Sequence, residues 1–246
     1  MDFQIFADYE TLSRHTAQHI ADLLNRKPDA LICAASGDTP VGTYRALVQL
    51  VKEGKTSVDR CTFVGLDEWV GLGPESEGSC ANYLQRELFG PLNIQSDQYR
   101  LFDAKADDLE AECESMTQFV DDRGGFDLIL VGVGLNGHIA LNEPGTPFTL
   151  KAHVSELAET TITVGQKYFS TPTPLTLGVT TGLQQLMDAR EAILIASGSK
   201  KAPVIKTALE GPVTEEFPAS IMQTHPKGYV WVDQDAAGAK ENRQLN

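Results

Sequence analysis

Six short runs are apolar at consecutive positions: 3–7 (FQIFA), 30–35 (ALICAA), 61–66 (CTFVGL), 126–133 (FDLILVGV), 192–197 (AILIAS) and 229–232 (YVWV). Successive side chains of a strand point to opposite faces, so such runs need cover on both sides. Between them lie segments of helical period, at about 9–25, 40–53, 80–90, 107–122, 181–189 and 200–210. In DDLEAECESMTQFVDD, for example, Leu109, Cys113, Met116, Phe119 and Val120 share one face and charges cover the rest. Strand–helix alternation of this kind predicts a doubly wound, mostly parallel α/β sheet with helices on both faces, Rossmann-like in outline. No repeat or linker divides the chain, so one domain over 1–246 is expected. The segment 144–180 breaks the alternation with Pro144, Pro147, Pro172 and Pro174 among many Thr and Ser. It reads as an excursion from the sheet, either a lid over a site or a plain surface loop.

Composition narrows the partners. The formal net charge of the 246 residues is −14, which repels nucleic acid and anionic lipid at long range. No apolar run reaches the roughly 18 residues of a membrane span, and MDFQIFADYE lacks the cationic start of a signal peptide. Cys33, Cys61, Cys80 and Cys113 show no C-x-x-C spacing and read as reduced core thiols. A cytoplasmic protein without nucleic-acid or membrane partners is expected. An anionic substrate would require a local cationic site built against the field of the whole molecule.

In a doubly wound sheet, ligands bind beyond the carboxyl ends of the strands. After ALICAA comes SGDTP (36–40). After CTFVGL comes DEWVGL, opening with Asp67 and Glu68. After FDLILVGV comes GLNGHIALNEP, and after AILIAS comes GSKK (198–201). Ser36 and Thr39 offer hydroxyls, Gly37 admits close backbone approach, and the N–H groups of a following helix favour an anion. The same turn also reads as a simple capped helix with Thr39 as the cap and Pro40 in the first turn. In GSKK two cations oppose a helix dipole, a placement that a bound anion would offset.

Gly132, Gly134 and Gly137 spell G-x-G-x-x-G, the dinucleotide-binding pattern. That pattern needs a helix after its third glycine. Pro144 and Pro147 leave no room for one, and no acidic strand end follows about 20 positions on. The loop instead holds Asn136, His138 and Glu143. Imidazole exchanges protons near neutrality, and a carboxylate orients its tautomer. Adjacent extended residues point to opposite sides, so only one of Asp67 and Glu68 need face the same place. No third ligand stands at metal-binding spacing from His138 and Glu143, so no metal is expected. His15 and His19 are four apart on a helix, but His19 shares the face of Leu12 and Leu23 and reads as packing. His153 lies in the excursion, and His225 precedes Pro226.

At these loops the sequence resembles the glucosamine-6-phosphate deaminase/isomerase family, related in fold to the 6-phosphogluconolactonases. The carriers are SGDTP, LDEWVGL (66–72), GVGLNGHIALNEPGT (132–146) and GSKK, and the resemblance covers nearly the whole chain. Asn142, Glu143 and Pro144 match the deaminases rather than the lactonases. The resemblance implies that Asp67 moves a proton between C2 and C1 of the opened sugar and that His138 opens the ring. It implies that Glu143 and Asn136 orient that histidine. It assigns Ser36, Gly37, Asp38, Thr39, Lys167 and Lys201 to the sugar-phosphate site, and it implies no cofactor.

Three positions depart from the pattern. Asp38 stands where members have Gly or Ser, and a carboxylate about 4 Å from phosphate costs roughly 1–4 kcal/mol per charge pair. Either its side chain points away, leaving its N–H to bind, or the phosphate does not sit at this turn. Asn136 replaces an acid of some members. Lys167 replaces an Arg and so loses a bidentate fork. His153 and Ser155 stand where longer relatives carry basic effector-binding residues, so a monomer or small homo-oligomer is expected. A lactonase acting on a sugar phosphate, or a sugar-phosphate-sensing module without catalysis, are the alternatives.

Overall fold

In a computed structural model that describes residues 1–238, the six apolar runs form the body of a seven-stranded sheet. The strands are β1 (Asp2–Phe6), β2 (Leu31–Ala34), β3 (Thr62–Gly65), β4 (Asp67–Trp69), β5 (Tyr99–Arg100), β6 (Leu128–Val131), β7 (His153–Glu156), β8 (Leu177–Thr180), β9 (Ala192–Ala196) and β10 (Gly228–Asp233). The large sheet runs β1-β10-β9-β6-β2-β3-β5, with every pairing parallel. Residues 239–246, which the single-domain reading includes, lie outside the described residues.

The helices are α1 (Tyr9–Arg26), α2 (Val41–Lys52), α3 (Cys80–Leu84), α4 (Leu109–Asp121), α5 (Glu159–Gly165), α6 (Leu183–Asp188) and α7 (Ala202–Glu210). Strand alternation sorts the core into two layers. Ile32, Phe63, Leu128, Leu130, Ile193, Ile195 and Trp231 pack under α1, α2 and α3. Cys33, Val64, Ile129, Val131, Leu194 and Val232 pack under α4, α6 and α7. Local chemistry starts several helices. The Asp8 carboxylate accepts from Thr11 N (2.7 Å), that of Asp108 from Ala111 N (3.0 Å), and Ser79 Oγ accepts from Asn82 N (3.0 Å). Removing such a cap costs about 1 kcal/mol. The helix expected at 80–90 divides into α3 and a π-turn, Gln85–Phe89. At 40, Pro40 is itself the cap and no side chain caps the helix, which corrects the reading of Thr39 as the cap.

The segment 144–180 is an excursion with a structure of its own. β7 and β8 pair antiparallel with each other, and β8 pairs with β4, giving a three-stranded sheet in the order β4-β8-β7. Asp67 and Glu68 are therefore strand residues, not the start of a loop. Between β7 and β8 the chain makes α5 and a 3₁₀ turn, Gln166–Tyr168. Trp69, Cys80, Leu141, Leu157 and Leu175 form a small core of their own beneath this segment. These strands are three or four residues long and draw partners from distant sequence. Tertiary pairing, not local pattern, makes them.

The chain leaves β2 toward β3 on one side of the sheet and continues from β6 toward β9 on the other. β2 and β6 are hydrogen-bonded neighbours. The order of the sheet thus reverses between them, and a crevice opens beyond their carboxyl ends. Residues 36–39 and 132–143 flank that crevice.

Candidate active site

The loop after β6 shows what its glycines do. The Gly134 N–H donates to the His138 carbonyl (2.9 Å), and Gly137 N–H to the Gly134 carbonyl (3.1 Å). A Cβ on Gly134 would lie 2.4 Å from Cε1 and Nε2 of His138, so only glycine lets the imidazole lie against the backbone there. Gly137 has φ +86°, and a Cβ on it would overlap the Phe217 ring. No helix follows. The glycines seat a histidine, and the dinucleotide pattern is coincidental.

His138 is held on one edge. Its Nδ1 lies 3.4 Å from Glu143 Oε2 and 3.1 Å from Thr161 Oγ1. Asn136 Nδ2 donates to Glu143 Oε2 (2.8 Å) and to Thr160 Oγ1 (3.3 Å), while Asn136 Oδ1 accepts from His138 N–H (3.2 Å). Glu143 is 7% exposed. Burial alone would raise its carboxyl, but the hydrogen bond and charge of His138, with donors from Thr161 and Asn136, leave it below the ordinary range. With the Glu143 carboxylate and Thr161 Oγ1 both on the Nδ1 side, Nε2 is the ring nitrogen turned away from them.

Asp67 begins β4, opposite Thr180. Burial is the leading influence on its carboxyl and pushes it up to about 6, against the pull of a hydrogen bond with Cys80 and the charge of His138. Glu68 faces the other way, as alternation requires. Its carboxylate accepts from the backbone N–H groups of Trp69 (2.9 Å), Cys80 (2.9 Å) and Ala81 (2.8 Å), so it anchors the start of α3. One carboxylate faces the crevice and its neighbour builds the wall.

The residues expected to hold phosphate come from three places. Residues 36–39 are pinned from outside by tyrosines. Tyr83 Oη donates to the Gly37 carbonyl (2.5 Å), and Tyr9 Oη lies within hydrogen-bond distance of the Asp38 (3.1 Å) and Thr39 (2.9 Å) carbonyls. Ser36 lies beside the Cys80 thiol, which also meets Asp67. Lys201 Nζ donates to the Val133 carbonyl (2.5 Å). Burial and the charge of Lys167 both lower its ammonium from the ordinary lysine range. Lys167, in the 3₁₀ turn after α5, places Nζ 2.6 Å from Asp38 Oδ2. Asp38 does not turn away from the cations; it faces Lys167. Sequence reading left no partner for this carboxylate, and the partner lies 129 positions away.

Other residues escaped sequence reading. Thr160 and Thr161 sit in a polar stretch that marks neither of them. Asp233 is 4% exposed and accepts from Ser197 Oγ, Gly198 N (3.1 Å) and Ala236 N (2.8 Å), fixing the turn that delivers Lys201. It stands at the carboxyl end of β10, where the strand-end rule would have found it. The remaining histidines are elsewhere. His19 Nε2 contacts Glu191 (2.5 Å) and its ring packs on Tyr229 and Trp231. His15 packs on Phe6 and Trp231. His225 is buried beside the Leu186 carbonyl. His153 opens β7. Among the described residues, no three His, Cys, Asp or Glu side chains gather to hold a metal ion, and no helix is long and apolar enough to cross a membrane.

Residues 7–231 match the family described as glucosamine-6-phosphate isomerases/6-phosphogluconolactonase. A glucosamine-6-phosphate deaminase of Bacillus velezensis is 38% identical over 231 residues, covering 94% of this chain and 96% of its own. Glucosamine-6-phosphate deaminase 1 of Bacillus subtilis is 37% identical over 233 residues, with 94% and 96% covered. Among solved structures, a monomeric glucosamine-6-phosphate deaminase superposes with a TM-score of 0.94 at 36% identity, covering 98% of this chain and 100% of that one. A 6-phosphogluconolactonase from Trypanosoma brucei reaches 0.75 at 21% identity over 96% and 97% of the two chains, a likeness of fold alone. By sequence and by architecture, this chain belongs to the glucosamine-6-phosphate isomerase/6-phosphogluconolactonase family.

Proposed function

We propose that this protein is an amino-sugar phosphate deaminase/isomerase, converting glucosamine 6-phosphate or an epimer such as galactosamine 6-phosphate to the ketose 6-phosphate and ammonia. The observation that carries the reading is the His138–Glu143 pair beside a carboxyl, Asp67, raised to about 6, all at the crevice between β2 and β6. Relatives named as glucosamine-6-phosphate deaminases, more than a third identical over nearly the whole chain, support it.

The chemistry uses each group once. Ring opening moves a proton from the C1 hydroxyl to the ring oxygen, and Nε2 of His138 serves as acid and base for it. Glu143, itself held by Asn136, keeps Nδ1 occupied and supports the charged ring. Asp67, ionised above about pH 6, removes the C2 proton from the open aldehyde as O1 takes up a proton, then returns a proton to C1 as the amine nitrogen gives one up. The enolamine so formed becomes a C2 imine. Water adds to it, and ammonia leaves as the ketose forms. Ser36, the N–H groups of residues 37–39, Lys201 and Lys167 hold the phosphate away from the reacting carbons. A monomer of 26.7 kDa, acting in the cytoplasm where its four buried thiols stay reduced, is the matching state.

The test is release of ammonia and ketose phosphate from a panel of hexosamine 6-phosphates. Folded protein that releases ammonia from none of them refutes the reading. Hydrolysis of 6-phosphogluconolactone would favour the lactonase instead, and tight binding without turnover a sensing module.

A further inference from the structure

Asp38 sits in the most constrained part of the anion site. The carbonyls on either side of it are held by Tyr83 and Tyr9, so its backbone cannot swing aside. Its carboxylate meets the Lys167 ammonium at 2.6 Å across the gap between the turn after β2 and the segment after α5. Lys167 also lies 4.8 Å over the Tyr168 ring. A second polar contact, Ser170 Oγ to Glu77 Oε2 (2.8 Å), ties the same segment to the body nearby. The Lys167 charge also reaches Lys201, whose ammonium it lowers. Arg45, Arg86 and Lys167 line the cavity beside the pair together with Asp38, Glu77 and Glu87, so its net charge is about zero and would be about +1 without Asp38.

We propose that Asp38 is a built-in counter-ion for Lys167, holding the lid segment in the ligand-free protein and limiting affinity for a doubly charged phosphate, which must draw Lys167 away from it. The inference rests on the sugar-phosphate reading above. Two effects act in one direction. The incoming group competes with the carboxylate for Lys167, and the carboxylate, on a backbone held by the two tyrosines, repels that group. A phosphate monoester carries nearly two negative charges near neutrality. It therefore meets about twice the repulsion met by a singly charged group of the same shape. The side chains of Lys167 and Asp38 are 49% and 69% exposed, so solvent screens the pair and the effect is modest, about two- to fivefold.

Asp38→Asn keeps the shape and removes the charge, and the full chain carries both arms of the test. In the ligand-free variant, amide hydrogen exchange across 159–171 is expected to quicken by about two- to fivefold, with the rest of the molecule unchanged. In turnover, KM for glucosamine 6-phosphate is expected to fall by a similar factor. KM for glucosamine 6-sulfate, a singly charged isostere, falls less. Unchanged exchange across the lid, or a KM for the phosphate that rises, overturns the proposal; the latter result would make Asp38 a guide that delivers Lys167 to the substrate. The exchange arm needs no substrate. If the wild-type protein turns over no hexosamine phosphate, the functional reading fails while that arm still decides whether Asp38 holds the lid.

Discussion

Residues 132–143 and residues 159–170 face the same crevice but are held there by different means. The first is locked by its own backbone and by burial. Ile139 and Asn142 are each 1% exposed, and Asn142 Nδ2 donates to the Ile139 (3.0 Å) and Thr181 (2.8 Å) carbonyls. The second rests Ile162 and Phe169 on the small core and adds, at its far end, an ion pair and a hydroxyl contact in water. Exposed pairs of this kind contribute about 0–1 kcal/mol. The two meet where Thr160 and Thr161 touch Asn136 and His138. The His138 loop is thus fixed by buried contacts, whereas the far end of the second segment adds contacts exposed to solvent.

Substitutions can break that contrast. The largest effect is expected from His138→Gln, which removes the acid/base while leaving a polar side chain on Gly134. The turnover number should fall by about 10²–10⁴-fold with the fold intact. Turnover near wild type would mean that the rigid loop is structural.

Next comes a stability effect of Asp67. Burial holds its carboxyl at about 6 in the folded protein, above the ordinary 3.8 of an aspartate in water. The stability it contributes is therefore present below about pH 3.8 and lost as pH rises through about 6. Asp67→Asn should raise unfolding stability at pH 7, by up to about 3 kcal/mol, and the gain should vanish near pH 4. Urea denaturation at the two pH values reads the difference. A gain independent of pH would remove the buried charge as its cause.

The smallest effect sharpens the contrast between the lysines. Lys201 is bonded to the Val133 carbonyl and partly desolvated, whereas Lys167 is paired in water. Lys201→Met should raise KM by about 10–100-fold, as for the loss of a charged hydrogen bond. Lys167→Met should raise it by no more than about fivefold. Equal effects would place both cations on the same footing and remove the distinction between fixed and adjustable parts.

Legibility in the sequence followed the range of the interactions. The runs ALICAA, FDLILVGV and AILIAS gave β2, β6 and β9 directly, because strands buried on both faces need no partner to be recognised. Asp67, His138, Glu143 and Lys201 were reachable because strand ends converge in such a sheet. The small sheet of β4, β7 and β8 was not. HVSE and LGVT are too short to display a period, and only pairing with Asp67–Trp69 makes them strands. Thr161 had no local mark, since its meaning depends on His138, 23 positions earlier. Asp38 was legible as an anomaly, but its resolution by Lys167 required the fold.

The proposed reaction turns on Asp67 carrying the proton between C2 and C1. The most direct measurement is turnover of glucosamine 6-phosphate in deuterium oxide, with the C1 position of the ketose product read by NMR. The wild-type protein should release ammonia and place solvent deuterium at C1. Asp67→Asn, folded and at least as stable, should do neither. Deuterium at C1 at the wild-type rate in that variant would contradict the account.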